Sequence, residues 1–469
     1  MSKLVADDLL FPVDASARQV ARDLFAGVKD LPIVSPHGHT EPRWYAENDH
    51  FPDLAQLLVV PDHYIFRMLF SQGVRLEDLG VPTLDGSAVE ADGRKIWRLF
   101  ADNYYLFRGT PTRLWLDYTF LNLFGLSVPL EPDTADLYYD TIADLLGRDD
   151  FRPRALYERF NIEAISTTDG ALDDLKWHAM IRDSGWKGRV VPAYRPDSVV
   201  DPDFDGFAGN LDRLGELSGC DTGSWQGYLD AHRARRAYFK SFGATSTDHG
   251  HATADTANLS VSEAAALYDR VRKGTAEPAQ RRLFRAQMLT EFARMSVDDG
   301  LVMQIHPGSW RNHSGPVHQR FGRDKGFDIP TRTDYVGALK PLLDAVGTAP
   351  GLSVIVFTLD ETSYARELAP LAGVYPALKL GPAWWFHDSP EGMRRFREMT
   401  TETAGFYNTV GFNDDTRAFP SIPARHDVAR RVDCAFLARL VCEHRLREEE
   451  AHELAHDLAY GLAKRAYRL

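Results

Sequence analysis

The chain predicts an α/β protein, a (β/α)8 TIM barrel with a helical insertion after strand 1. Three observations support this. Eight short apolar runs end in polar or glycine residues, amphipathic stretches follow several of them, and His, Arg and Asp gather just after the runs. Short apolar or β-branched runs bounded in this way read as buried strands. Strand-then-helix alternation gives a parallel sheet, and a barrel keeps its chemistry at the C-terminal ends of its strands.

The runs follow in order. The first is Leu31–Val34, leading to His37. Ile162–Ser166 ends at Thr167-Thr168-Asp169, and Arg189–Ala193 ends at Tyr194-Arg195-Pro196-Asp197. The fourth is Tyr238–Phe242, running on to Thr247-Asp248-His249-Gly250. Leu301–Ile305 ends at His306-Pro307-Gly308, and Ser353–Phe357 at Thr358-Leu359-Asp360. Ala377–Leu380 leads to Trp384-Trp385, and Phe406–Gly411 to Asn413-Asp414-Asp415-Thr416-Arg417. Helical periodicity is expected over Ser262–Lys273, Ala279–Ser296, Thr333–Val346, Glu391–Thr403 and Val428–Arg447. The stretch from about 41 to 160 is too long for one βα connection. Its helix-forming segments, Lys95–Phe107 and Leu114–Leu123, mark it as the insertion, placed to roof the catalytic side. Residues 1–469 are read as a single barrel domain, without internal repeat or low-complexity linker.

Composition narrows the function. The chain has 469 residues, 44% hydrophobic and 26% charged, as in a globular protein with a large core. Its net charge of −13 disfavours nucleic acid or an anionic membrane as a partner. A small anionic substrate stays compatible, because a few local arginines override the global field. Cys220, Cys434 and Cys442 are odd in number and lack zinc-ribbon or redox spacing, which suits a reducing compartment. Met1–Pro12 lacks signal-peptide order, and no apolar run reaches the roughly 18 residues of a membrane span. A cytoplasmic protein is expected. No strand is followed by G-x-G-x-x-G or a Walker loop, so no nucleotide cofactor is expected.

The chemistry centres on His37-Gly38-His39. Residues two apart in a strand share a face, so two imidazoles at a strand end can grip one divalent metal ion, and Gly38 leaves room for close backbone approach. Among sixteen histidines such a pair also arises by chance. Asp415 strengthens the case, because strands 1 and 8 are neighbours in a closed barrel. Alone, in the run Asn413-Asp414-Asp415-Thr416, it would read as a turn or helix-cap residue. His37, His39 and Asp415 together leave metal positions open for substrate, the pattern of a catalytic site. His306, at the end of strand 5, is a further ligand, a substrate contact or a core histidine. Lys240, placed at the start of strand 4, is too early to bridge two metals, which favours a single-metal site. Tyr64 is core on an amphipathic helix or stands at a helix start facing the site. Trp384 and Trp385 stack on a sugar or pack beneath the rim. Asp248-His249 reads as a pair behind the site residues or as a loop cap, and not as direct ligands.

Taken together, the motifs resemble the uronate isomerase (glucuronate isomerase) family of the amidohydrolase superfamily. The matching segments are His37-Gly38-His39, Asp62-His63-Tyr64, Thr167-Thr168-Asp169, Val191–Asp197, Asp248-His249-Gly250 and Gln304–Gly308 with Arg311-Asn312. Trp384-Trp385-Phe386 and Asp415-Thr416-Arg417 with Arg425-His426 complete the set. Their order and spacing together are specific. There are departures: Thr416 replaces the usual Ser and keeps its hydroxyl, Asp414 replaces the usual Thr, and the sequence before Trp384 and the sixth-strand end also differ from the common pattern.

The resemblance implies a metal held by His37, His39 and Asp415, with His306 as a candidate ligand. It implies substrate contacts from His63, Arg195, Thr416 and Arg417. The cofactor would be one divalent ion, zinc in the first place, with manganese or iron as alternatives. The implied reaction is aldose–ketose isomerisation of a hexuronate, D-glucuronate to D-fructuronate and D-galacturonate to D-tagaturonate. It moves a proton from C2 to C1 without redox chemistry. Asp415 is the expected base, with Tyr64 as the second proton shuttle. Planar guanidinium groups suit the uronate carboxylate. A homo-oligomer is expected. The alternative is a mononuclear metal-dependent hydrolase on the same barrel acting on an acidic substrate; a non-catalytic sugar-acid binding protein is a third class.

Overall fold

The computed structural model describes residues 4–469. Five parallel strands come first: β1 (Ile33–Ser35), β2 (Ile162–Gly170), β3 (Arg189–Arg195), β4 (Ser246–His249) and β5 (Val302–Ile305). A small antiparallel hairpin, β6 (Ser309–Trp310) with β7 (Ile329–Pro330), follows β5. Then β8 (Val354–Val356) and β9 (Leu378–Leu380) extend the parallel sheet, whose order is β1-β2-β3-β4-β5-β8-β9. One further parallel bridge, Leu380 to Thr409, lies beyond β9. At the other edge the His39 N–H donates to the Thr416 carbonyl at 2.9 Å, so the chain after β1 meets the chain after that bridge.

Six of the eight predicted strands form where the apolar runs place them, with shifted ends. All residues of β1, β5 and β8 are buried. A Val or Ile side chain fully removed from water contributes about 1.5–3 kcal/mol, which offsets the low strand length. β2 and β3 run farther than expected because Thr167 to Gly170 pair in register with Pro192 to Arg195.

Two expectations fail. Tyr238–Phe242 is no strand: Tyr238 to Ser241 close the helix Trp225–Ser241, and the strand begins only at Ser246. The aromatic run misled because Tyr228, His232, Arg235 and Phe239 are buried at helical spacing. Lys240 therefore lies on a helix, where its Nζ donates to the Asp299 carbonyl. Phe406–Gly411 is reduced to the bridge at Thr409. There Asn408 Nδ2 donates to the Ala404 carbonyl at 2.9 Å and Thr409 Oγ1 to the Phe406 carbonyl at 2.7 Å. Such local side-chain bonds compete with a strand ladder.

Between β1 and β2 the chain forms seven α-helices from Pro42–Glu47 to Pro153–Arg159. Trp97, Phe100, Tyr104, Phe120 and Tyr138 build their interior, and the cluster is continuous with Ile33, Ile162 and Ile165 of the sheet. The helix His63–Ser71 starts at Asp62, whose Oδ1 accepts the Tyr64 N–H at 2.8 Å. That cap sets His63 and Tyr64 at the first turn, on the sheet's C-terminal side.

The loop carrying Asp415 lies between helices Pro390–Ala404 and Ile422–Cys442. A buried bidentate pair joins them: Arg397 Nε and Nη2 donate to Asp433 Oδ1 and Oδ2 at 2.6 and 2.9 Å. Removing one partner leaves the other charge buried and unpaired. Asp433→Ala is expected to cost about 3–5 kcal/mol in urea unfolding, and Arg397→Met with Asp433→Leu to recover most of it. A loss below about 1 kcal/mol for Asp433→Ala would contradict this role.

Candidate metal centre and substrate cavity

After Ser35 the chain leaves β1, and both histidines turn the same way. His37 is buried and His39 is one-quarter exposed. Their Nε2 atoms lie 3.4 and 3.1 Å from one oxygen, Asp415 Oδ1. Asp415 sits at φ +42, in the left-handed region that side chains rarely adopt. That conformation costs of order 1–3 kcal/mol and is kept only where the surroundings over-determine it. Here Trp384 Nε1 donates to Asp415 Oδ2 at 2.8 Å. Burial disfavours the charged carboxylate, but contacts with His37 and His39 outweigh it and hold its pKa well below the usual carboxylate range. Thr168 Oγ1 donates to the Gly38 carbonyl at 3.0 Å, fastening the His-X-His segment to β2. A Cβ at Gly38 would sit 3.7 Å from Asp414 Oδ1 and the Thr416 carbonyl, an ordinary contact. Space alone therefore does not demand glycine there.

A second group shares His37. The His306 ring stacks on His37 at 4.5 Å and on Phe357 at 4.0 Å, and its Nδ1 lies 2.7 Å from Asp248 Oδ1. The buried oxygens Asp415 Oδ1 and Asp248 Oδ1 face imidazole nitrogens, and His306 Nε2 is buried without a hydrogen-bond partner. Buried polar atoms are rarely left so. Ligand atoms of His37, His39 and Asp415, and of His37, Asp248 and His306, lie within 4.8 Å of one another in each set. Imidazole nitrogens and carboxylate oxygens at such separations suit a divalent cation. Asp414 is set apart from this cluster, because its Oδ2 faces His426 Nε2 at 3.1 Å. Lys240, on its helix, is not among the cavity-lining residues.

The cluster opens into a cavity of about 600 Å³ that also holds His63, Tyr64, Arg195, Thr416 and Arg417. The two arginines differ. Arg195 is engaged already: Nε donates to Asp197 Oδ2 at 2.8 Å and Nη1 to Asp248 Oδ2 at 3.1 Å. Arg417 is half-buried, and no hydrogen bond or ion pair among the described residues engages its guanidinium. Thr416 Oγ1 pairs with Ser421 Oγ at 2.9 Å, so its hydroxyl also shapes the turn. Burial first, and then the charge of Arg417, push the His63 pKa down to about 3. A neutral imidazole results, able to donate and accept. The Tyr64 hydroxyl reaches Asp388 Oδ1 at 2.8 Å, so its side chain is not simply core.

Asp388, Arg425 and Arg311 also line this cavity. Asp388 follows the Trp384-Trp385-Phe386 segment by two residues, and Arg425 belongs to a matching segment, so proximity to those motifs was the available signal. Asp248, read from sequence as support, shares the ligand geometry.

A parallel α/β sheet with a His/Asp cluster of metal-binding geometry at its C-terminal side is the layout of a metal-dependent α/β enzyme. The chain belongs to the glucuronate isomerase family, whose model matches residues 1–467. It is 77% identical to the uronate isomerase of Mesorhizobium japonicum across all of both chains. The crystal structure of glucuronate isomerase from Caulobacter crescentus superposes with a TM-score of 0.98 at 60% identity, covering 100% of this chain and 98% of that one. The uronate isomerase of Thermotoga maritima gives a TM-score of 0.91 at 25% identity, covering 99% of each.

One cavity residue makes a pH prediction. Asp169 is buried and accepts from Thr167 Oγ1 at 2.7 Å, and burial raises its pKa to about 7. A raised folded-state pKa means that the folded protein binds the extra proton between about pH 4 and pH 7. Stability is then lost as pH rises through that window. Asp169→Asn is expected to flatten the fall in Tm between pH 5 and pH 8. An unchanged slope would contradict the burial argument.

Proposed function

We propose that the chain is a uronate isomerase, interconverting D-glucuronate with D-fructuronate and D-galacturonate with D-tagaturonate. We place its strands in a single closed (β/α)8 barrel domain, roofed by the helices inserted after β1. The observation that favours this reading is the unpaired Arg417 guanidinium facing the same cavity as the His37, His39 and Asp415 cluster. A sugar acid presents what each needs: a carboxylate for the cation, and vicinal oxygens beside a removable C2 proton for the cluster.

His37, His39 and Asp415 would hold one divalent ion, zinc before manganese or iron, with His306 as a further ligand. Bound there, the ion supplies positive charge where negative charge develops on the substrate oxygens. Arg417 takes the uronate carboxylate in a charge-assisted contact. Arg195 acts from its pairing with Asp197 and Asp248, and lends positive charge to that side of the cavity. His63 and Thr416 hydrogen-bond sugar hydroxyls. Asp415, ionised at neutral pH, takes the C2 proton and returns it to C1. Tyr64 handles the protons on oxygen. A cytoplasmic homo-oligomer acting on a free hexuronate fits this role; among the described residues no helix is long and apolar enough to cross a membrane.

The deciding experiment gives the protein both uronates beside a panel of acidic lactones, esters and amides. Ketose formation from a uronate is expected. Hydrolysis without isomerisation would favour a mononuclear hydrolase and contradict the proposal. Asp415→Asn is expected to lower kcat by roughly 100-fold or more. Arg417→Met is expected to weaken the use of substrate by roughly 10- to 100-fold in kcat/KM, as loss of one charged hydrogen-bonding group should. A wild-type kcat/KM in Arg417→Met would remove Arg417 from the carboxylate site.

A further inference from the structure

Tyr64 and Asp388 lie 324 residues apart in sequence and meet at the wall of the cavity that holds Asp415 and Arg417. The Tyr64 hydroxyl donates to Asp388 Oδ1 at 2.8 Å and accepts from the Phe386 N–H at 2.9 Å. A phenol oxygen has two lone pairs. With one given to Phe386, the other remains for a hydroxyl of a bound sugar acid. Asp388 is itself fixed. Its Oδ2 accepts from Arg425 Nη1 at 3.1 Å, which also donates to the Asp414 carbonyl at 3.0 Å. The Arg425 guanidinium lies 3.7 Å from the Trp115 ring centre. Asp388 and Arg425 are both almost fully buried.

This arrangement addresses a difficulty with Tyr64 as a shuttle. Burial first, and then the charge of Asp388, raise its pKa well above the ordinary phenol range. A free phenolate is therefore disfavoured. A phenol that takes a proton from the substrate while handing its own to a neighbouring carboxylate never has to ionise.

We infer that Asp388 is a positioning residue and proton store for Tyr64, an inference that rests on the isomerase reading above. Over the whole reaction one proton leaves O2 and one arrives at O1. The O2–H bond breaks as the Tyr64 oxygen takes that proton, and the original Tyr64 O–H bond breaks as Asp388 Oδ1 takes its proton. The return runs in reverse: Asp388 gives its proton back to Tyr64, and Tyr64 gives one to O1. Asp415 moves the carbon-bound proton from C2 to C1. Both residues end as they began, and no outside donor, acceptor or electron is consumed. Arg425 keeps the Asp388 carboxylate aimed at Tyr64.

The test is a double-mutant cycle on the metal-loaded full chain with D-glucuronate. Asp388→Asn keeps the shape and an acceptor for Tyr64 but cannot store a proton. Its kcat is expected to fall roughly 100-fold with KM changed by less than about 3-fold, and its solvent deuterium isotope effect to rise. Tyr64→Phe with Asp388→Asn is expected to be no slower than Tyr64→Phe alone, as for two residues acting as one unit. Asp388→Glu restores a carboxylate and is expected to recover about 10-fold or more over Asn. If the Asn variant does not fold, the same cycle is run with Glu, which should be without effect in the Tyr64→Phe background. Wild-type turnover in a folded Asp388→Asn variant, or multiplying effects in the cycle, would overturn the inference while leaving the isomerase reading intact. Wild-type turnover in Tyr64→Phe would overturn the role of Tyr64 and this inference together. A wild-type protein inert on both uronates would overturn the isomerase reading itself, and this inference with it.

Discussion

The site depends on one buried negative charge. Asp415 places an ionised carboxylate oxygen within 3.4 Å of two imidazole nitrogens. Taking a carboxylate out of water costs several kcal/mol, and its left-handed backbone adds to that cost. The surroundings offset it in identifiable ways. Trp384 occupies the second oxygen, the His39 N–H ties the loop to β1, and Thr168 ties the same segment to β2. Removing Asp415 would leave His37 and His39 without the anion they face. It would also leave Trp384 Nε1 without its acceptor.

The positive charges divide the work by whether they are already paired. Arg195 spends its guanidinium on Asp197 and Asp248, which against the cost of burial keeps Asp248 ionised beside His306. Arg425 is bound to Asp388 and stacked on Trp115. Arg417 makes no hydrogen bond or ion pair among the described residues, and its charge acts on Asp324 and His63 of the same cavity. In a chain of net charge −13, a cation of this kind in the cavity is what the proposed acidic substrate requires.

Much of this was legible in the sequence. His37 and His39 could be paired because residues two apart at a strand end tend to share a face, although β1 itself stops at Ser35. Asp415 could be added because the ends of the sheet approach each other. Arg195 and Arg417 looked alike as residue types, and only the side-chain partners separate them. Asp388 and Arg425 stood in or beside motif segments, but their partnership with Tyr64 was not legible, since the Tyr64–Asp388 contact spans 324 residues. The Tyr238–Phe242 error has a similar cause. Its five residues fit a strand, and only the longer pattern back to Tyr228 shows the helix. At Asp414 and Asp415 adjacent identical side chains face opposite ways, one to His426 and one to the histidine pair, a distinction that backbone conformation makes and composition cannot.

The central claim is that His37, His39 and Asp415 converge on one cation. Its most direct measurement is calorimetric titration of the chelator-stripped protein with zinc. One tight equivalent is predicted for the wild type, with His39→Ala and Asp415→Asn each weaker by at least roughly 100-fold, as expected when a direct ligand is lost. No binding by the wild type, or wild-type affinity in both variants, would contradict the account.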